Sequence, residues 1–274
     1  MIDKNIIKTA LKEDIGSGDI TTNAIIPASQ KVEAIIRAKE DGEIAGLLIA
    51  KEVFYQIDKR IKFSPKVKDG DQVKNGTIIA IVSGPARGIL AGERVALNFL
   101  QHLSGIATFT RKINDKISKY HVEILDTRKT IPGMRRLEKL AVKLGGGINH
   151  RMGLYDAILI KDNHIKIIGG IEKAITAVKK KYRKREPIEV EAKTINEVKQ
   201  SIQLGADRIL LDNMSNQLLK CAVKLCKEAG VKTEASGGAN IYNIVSIAKT
   251  GIDYISVGAL THSAKVLDIS LKIE

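Results

Sequence analysis

The sequence predicts an α/β protein: a parallel α/β barrel, incomplete at six or seven units, preceded by a mixed α+β domain. Three observations carry this. From about residue 120 onward, strand-like runs alternate with helix-like stretches, and alternating βα units imply a parallel sheet with covering helices. The alternating region holds only about 160 residues, short of the ~250 typical of an eight-unit barrel. The first hundred residues read differently, as short β-prone runs and turns with one helix among them.

Within that first part, residues 32–39 alternate as a strand and residues 45–54 read as a helix. Asp69-Gly70 and Asn75-Gly76 are turn dipeptides flanking β-prone runs such as residues 77–82. Biotinyl and lipoyl carriers have similar hairpins, but no lysine sits here at an exposed turn of the Met-Lys-Met kind, so the stretch reads as scaffold. Val95, Phe99, Leu103 and Ile106 recur at helical spacing within a long helix over 91–117, with a break expected near Ser104-Gly105. The strand-like runs that follow are 122–126, 157–162, 188–191, 208–212, 232–236 and 254–258. Between the first two, Leu137, Leu140, Ala141 and Leu144 mark a helix stopped by Gly145-Gly146-Gly147.

Composition narrows the function. Of the 274 residues 44% are apolar, enough for a substantial core. Trp is absent, which argues against a single-strand nucleic-acid platform, since those need exposed rings for stacking. Lys and Arg number 45 against 31 Asp and Glu, a net charge of +14 that favours anionic partners. The run Lys179-Lys180-Lys181-Tyr182-Arg183-Lys184-Arg185 reads as a solvated face. Cys221 and Cys226 share one helix-like stretch outside any metal spacing, as suits a reducing compartment. The start, Met1-Ile2-Asp3-Lys4, lacks the apolar core of a signal peptide, and no apolar run approaches the ~20 residues that span a bilayer. A cytoplasmic protein with no membrane and no nucleic-acid partner is expected.

Each strand-like run of the second part ends on polar residues or glycine. The ends are Asp126-Thr127-Arg128-Lys129, Lys161-Asp162-Asn163-His164, Glu191-Ala192-Lys193, Asp212-Asn213, Ser236-Gly237-Gly238 and Gly258-Ala259. In a barrel these positions converge on the carboxyl-end mouth, where such folds place their sites. Core packing does not explain six consecutive polar ends, because buried charges must be paired or functional. Ser236, Gly237 and Gly238, with Gly258 and Ala259, offer backbone N–H groups to a phosphate; a plain turn is the alternative for the first three alone. Glu191 and Asp212 end adjacent strands, so their carboxylates should face one region and bind ribose hydroxyls, or Mg²⁺ through water. A structural ion pair with Lys193 or Lys161 is the competing account. Arg128, Lys129, Arg151 and Lys161, with His150, form a cationic wall able to grip planar carboxylates.

These residues stand in stretches that resemble the quinolinate phosphoribosyltransferase family. The matching stretches are Glu13-Asp14-Ile15-Gly16-Ser17-Gly18-Asp19-Ile20-Thr21-Thr22, Gly92-Glu93-Arg94-Val95-Ala96-Leu97-Asn98 and Asp126-Thr127-Arg128-Lys129-Thr130-Ile131-Pro132-Gly133. Gly146-Gly147-Ile148-Asn149-His150-Arg151, Lys161-Asp162-Asn163-His164 and Glu189-Val190-Glu191 follow, then Ser236-Gly237-Gly238 and Ser256-Val257-Gly258-Ala259-Leu260-Thr261-His262. The Thr-Arg-Lys-Thr segment is the most specific. The resemblance implies an open-sandwich domain over 1–104, joined by a returning strand over 266–274, and an α/β barrel over 105–265. It implies a pentosyltransferase of NAD biosynthesis that joins quinolinate to phosphoribosyl pyrophosphate (PRPP) with decarboxylation, using Mg²⁺ and no organic cofactor. By the same resemblance Arg94, Arg128, Lys129, His150, Arg151 and Lys161 hold quinolinate. Glu191 and Asp212 hold the ribose and magnesium side of PRPP, and Ser236, Gly237, Gly238, Gly258 and Ala259 its 5-phosphate. Lys129, Lys161, Glu191 and Asp212 are the implied catalytic residues. A homodimer, or a higher oligomer, in which Arg94 enters the partner's site is implied as well.

Three other readings compete. A Schiff-base lyase would use Lys161 as nucleophile but leaves the arginines unexplained. A family paralogue with another acceptor, such as those linked to molybdenum transport, would show a changed carboxylate-binding set. A basic RNA-binding protein would show steep salt dependence.

Overall fold

The computed structural model describes residues 4–182 and 187–274. Met1, Ile2 and Asp3, and Arg183, Lys184 and Arg185 of the basic run, lie outside the described residues. The chain divides into two compact units: residues up to Arg111 with Ile131–Gly146 and Ala264–Glu274, and Lys112–Thr130 with Gly147–Ser263.

The first unit opens with helices α1 (Lys4–Ile15) and α2 (Ile20–Ile25), the latter capped by Asp19, whose carboxylate accepts the Thr22 N–H at 2.8 Å. Strands β1 (Lys31–Ala38) and β2 (Gly42–Glu43) lead into helix α3 (Leu47–Ile57), followed by β3 (Lys62–Pro65), β4 (Gln72–Val73) and β5 (Ile78–Pro85). Asp69 acts as a cap from a distance, its Oδ1 accepting the N–H groups of Gly46 and Leu47 at 2.8 and 3.0 Å. Two later segments return to this unit, the helix Arg135–Leu144 (α5) and the last strand, Ile269–Ile273 (β12). β12 closes one side of a four-stranded antiparallel sheet of order β12-β1-β5-β3, with Ala34 opposite Ile273 and Ile35 opposite Ile81. Helix α5, which the sequence reading places among the βα units, groups with this unit.

The long helix, α4 (Ala86–Ile117), runs unbroken through Ser104-Gly105, where the sequence suggests a break. The pair serves close packing instead. The Ser104 hydroxyl accepts the Ala45 N–H at 3.0 Å, and a Cβ on Gly105 would lie 2.1 Å from the Lys265 carbonyl oxygen. Only glycine lets that backbone approach so near, and the helix tolerates the ~1 kcal/mol propensity cost.

The second unit is a parallel sheet of six strands. They are β6 (Glu123–Leu125), β7 (Ile158–Ile160), β8 (Ile188–Ala192), β9 (Arg208–Asp212), β10 (Lys232–Ser236) and β11 (Tyr254–Ser256). Helices α6 (Asp162–Ile168), α7 (Ile171–Lys181), α8 (Ile195–Gln203), α9 (Asn216–Glu228), α10 (Ile244–Ala248) and α11 (Ala259–His262) alternate with them. The order is β6-β11-β10-β9-β8-β7, with β6 and β7 at the two ends, so the barrel is incomplete at six strands. Period-two alternation puts Val190, Ile209, Leu211, Ala235 and Ile255 on one buried face. Glu189, Glu191, Leu210, Asp212, Glu234, Ser236 and Ser256 share the other face, which looks into the barrel. No helix among the described residues is long and apolar enough to cross a membrane.

Candidate active site

A cavity of about 460 Å³ opens at the carboxyl ends of these strands. Arg128, Lys129, His150, Arg151 and Lys161 line it, together with Ser236, Gly237, Gly238, Gly258 and Ala259. Thr127, Leu159, Leu210, Glu234, Ala239, Ser256 and His262 complete the lining.

The loop after β6 carries Arg128 and Lys129 and is tied at both ends. Buried Asp126 accepts the His150 N–H at 2.9 Å, and the Lys129 carbonyl accepts the Thr261 hydroxyl at 2.7 Å. The Thr127 hydroxyl accepts the Lys129 N–H at 3.1 Å. Gly258 lies close beside Lys129, where a Cβ would be 3.1 Å from the lysine Cδ. Arg151 donates from its guanidinium to the Ala157 carbonyl at 3.3 Å. Burial, and then repulsion from Arg128, hold the Arg151 pKa below its ordinary value. Two neighbouring guanidiniums favour an anionic ligand.

The glycine side is built differently. Gly237 (φ +96°) and Gly238 (φ +65°) occupy backbone conformations that other residues rarely adopt. Asn240 and Asn243 both donate side-chain N–H groups to the Gly238 carbonyl, at 3.0 and 2.9 Å. Among the described residues no backbone carbonyl accepts from the N–H of Gly237 or Gly238. Asn213, at φ +54° the one non-glycine with positive φ among the described residues, donates its N–H to the Ser236 carbonyl at 2.8 Å. Strained backbone of this kind collects at ligand-binding loops.

Glu191 and Asp212 fall outside the cavity lining and form a separate acidic group with Asp162 at the same strand ends, balanced by Lys161 and Lys193. Lys193 pairs with Asp162 at 2.6 Å. Burial, then repulsion from Asp162 and Asp212, raise the Glu191 pKa. Arg94 is exposed on α4 in the other unit.

The sequence reading gave no role to the two acids inside the barrel. His150 Nε2 lies 3.2 Å from Glu189 and 3.5 Å from Glu234. Burial alone would lower the His150 pKa, but hydrogen bonds and charge from these carboxylates raise it above its ordinary value. Burial lifts Glu189 to about 7, with repulsion from Glu234 adding to it. The signal was available: an acid at an inward position in each of two buried strands. Its partner, His150, could not be read from β8 or β10.

The quinolinate phosphoribosyl transferase C-terminal domain model matches residues 106–272, and the N-terminal domain model matches 19–104. The chain belongs to the quinolinate phosphoribosyl transferase family. Among its relatives, a probable carboxylating nicotinate-nucleotide pyrophosphorylase of Bacillus subtilis is 44% identical over 98% of this chain and 93% of the relative. A chloroplastic protein of that name from Arabidopsis thaliana is 44% identical over 99% of this chain and 82% of its own. Of the solved structures, nicotinate-nucleotide pyrophosphorylase from Francisella tularensis superposes with a TM-score of 0.94 at 42% identity, covering 98% of this chain and 95% of that one. The Ehrlichia chaffeensis protein gives 0.95 at 42% identity, covering 100% and 99%. Membership of the quinolinate phosphoribosyl transferase family accords with the incomplete barrel.

Proposed function

We propose that this chain transfers the phosphoribosyl group of PRPP to quinolinate and releases the adjacent carboxylate, giving nicotinate mononucleotide, pyrophosphate and CO₂. One observation carries the reading: a single cavity pairs a wall of Arg128, Lys129, Arg151 and Lys161 with the glycine turns at Gly237-Gly238 and Gly258. A dicarboxylate suits the first and a phosphate monoester the second.

The wall binds the two carboxylates and aims the ring nitrogen at the anomeric carbon, while Ser236, Gly237, Gly238, Gly258 and Ala259 hold the 5-phosphate. The C–O bond to pyrophosphate breaks through an oxocarbenium-like state as the C–N bond forms. Orientation and charge placement supply most of the acceleration, and no covalent nucleophile is needed. Once the ring nitrogen is cationic, loss of the neighbouring carboxylate leaves an electron pair beside N⁺, where it is stabilised, and a proton replaces CO₂. Lys129 and Lys161 stabilise developing negative charge. Glu191 and Asp212 orient the ribose and diphosphate side, and their carboxylate oxygens would hold Mg²⁺ through water. Mg²⁺ held there would supply positive charge to balance that of the departing pyrophosphate.

In the same reading 105–265 is the catalytic domain, 1–104 with 266–274 the companion domain, and the enzyme a cytoplasmic homodimer in which Arg94 completes the partner's carboxylate clamp. Purified protein given PRPP, Mg²⁺ and either quinolinate or nicotinate tests the acceptor. Product from quinolinate alone is expected, and preferential use of nicotinate would contradict it. Mixing Arg94→Ala with Lys129→Ala subunits tests the sharing: activity returning in mixed dimers is expected, and none returning would disprove it.

A further inference from the structure

The inward face of the barrel is charged where such barrels usually carry branched apolar residues. Glu189 and Glu234 are 7% and 0% exposed. Glu234 Oε1 accepts the Ser256 hydroxyl at 2.5 Å, and its Oε2 lies 3.3 Å from the Arg208 guanidinium and 3.5 Å from His150 Nε2. Arg208 is itself held over the Tyr254 ring, 4.2 Å from its centroid. Glu189 Oε2 reaches the same His150 nitrogen at 3.2 Å.

Buried carboxylates are costly, and apolar replacements of equal volume often stabilise such a site. Two of them beneath a binding cavity therefore need a purpose beyond stability. The contacts of His150 supply one. Its Nε2 faces the two acids, its Nδ1 accepts the Arg151 N–H at 2.7 Å, and its own N–H donates to Asp126 at 2.9 Å. Both ring nitrogens are engaged within the protein. The ring is a strut that joins the barrel interior to the main chain of Arg151, while the main-chain N–H of His150 is tied to the acid that begins the Arg128-Lys129 loop.

We propose that Glu234, with Glu189 beside it, is a positioning residue for acceptor binding: it anchors the His150 ring, which in turn fixes the Arg151 main chain so that its guanidinium serves the cavity. This rests on the reading of the cavity as a quinolinate site. The contact of Glu234 with His150 bears on the acceptor side of the cavity.

A double-mutant cycle tests it. Glu234→Gln should raise KM for quinolinate tenfold or more while KM for PRPP stays within twofold, and should add less than twofold in a His150→Phe background. It should also shift the ¹⁵N resonances of the His150 ring. Equal effects in both backgrounds, KM values rising together, or unmoved ring resonances would overturn the proposal. If Glu234→Gln does not fold, Glu189→Gln carries the same expectations. Failure of the wild-type protein to bind quinolinate would overturn the acceptor reading, and the ring resonances would still decide whether Glu234 governs His150.

Discussion

Replacing Arg128 by alanine should lower kcat/KM for quinolinate by about two to three orders of magnitude. Truncating one partner of a hydrogen-bonded charge pair that binding buries costs ~2–5 kcal/mol, and each 1.4 kcal/mol is a factor of about ten. Arg128 sits on the loop pinned by Asp126 and Thr261, so the protein has already spent the conformational entropy of presenting it. Its removal relieves repulsion on Arg151, whose pKa should rise. KM for PRPP should stay near the wild-type value, because the glycine turns are untouched. Arg128→Lys should recover only part of the loss, as a point charge cannot form two parallel hydrogen bonds to a carboxylate. Steady-state kinetics with each substrate varied in turn gives both constants, and an equal rise in both KM values would show that Arg128 does not act on the acceptor.

The second large effect belongs to the Gly237-Gly238 turn, which the proposed function assigns to the 5-phosphate. Gly237→Ala places a Cβ 2.1 Å from the Asn213 Oδ1 at a φ of +96°. The exposed Asn213 side chain would have to rotate away to admit it. Holding a non-glycine residue in such a region costs ~1–3 kcal/mol, and the clash adds to that or opens the turn. KM for PRPP should rise at least tenfold, with a loss of folding stability of ~1–3 kcal/mol measurable by urea titration. Gly238→Ala is the internal control: φ is +65°, but nothing lies within 4 Å of the added Cβ, so its effect should be clearly smaller. Similar losses for the two variants would place the phosphate elsewhere.

Much of this site was legible in the sequence because a barrel converts linear order into convergence. Six strands ending on Arg128, Lys161, Glu191, Asp212, Ser236 and Gly258 must gather those residues at one mouth, whatever the details of packing. Alternation within β8 and β10 also puts Glu189 and Glu234 on the inward face, a signal that the sequence reading left unused. What it could not show is which distant group meets them, because His150 stands outside both strands and its bonds depend on three-dimensional register. The unbroken α4 was missed for a related reason. Ser104-Gly105 weakens a helix by propensity, and its actual use, close approach to the Lys265 backbone, is a tertiary contact. Asn213 gave no signal at all: its strained φ is imposed by the neighbouring Ser236-Gly237 turn.

The central claim is that ring-nitrogen ribosylation and decarboxylation occur together in this cavity. The measurement is release of labelled CO₂ from quinolinate carrying the label in its 2-carboxylate, followed alongside pyrophosphate and nicotinate mononucleotide. The account predicts equal amounts of all three, strictly dependent on PRPP and lost in Arg128→Ala. Pyrophosphate released without CO₂, or CO₂ released without PRPP, would contradict it.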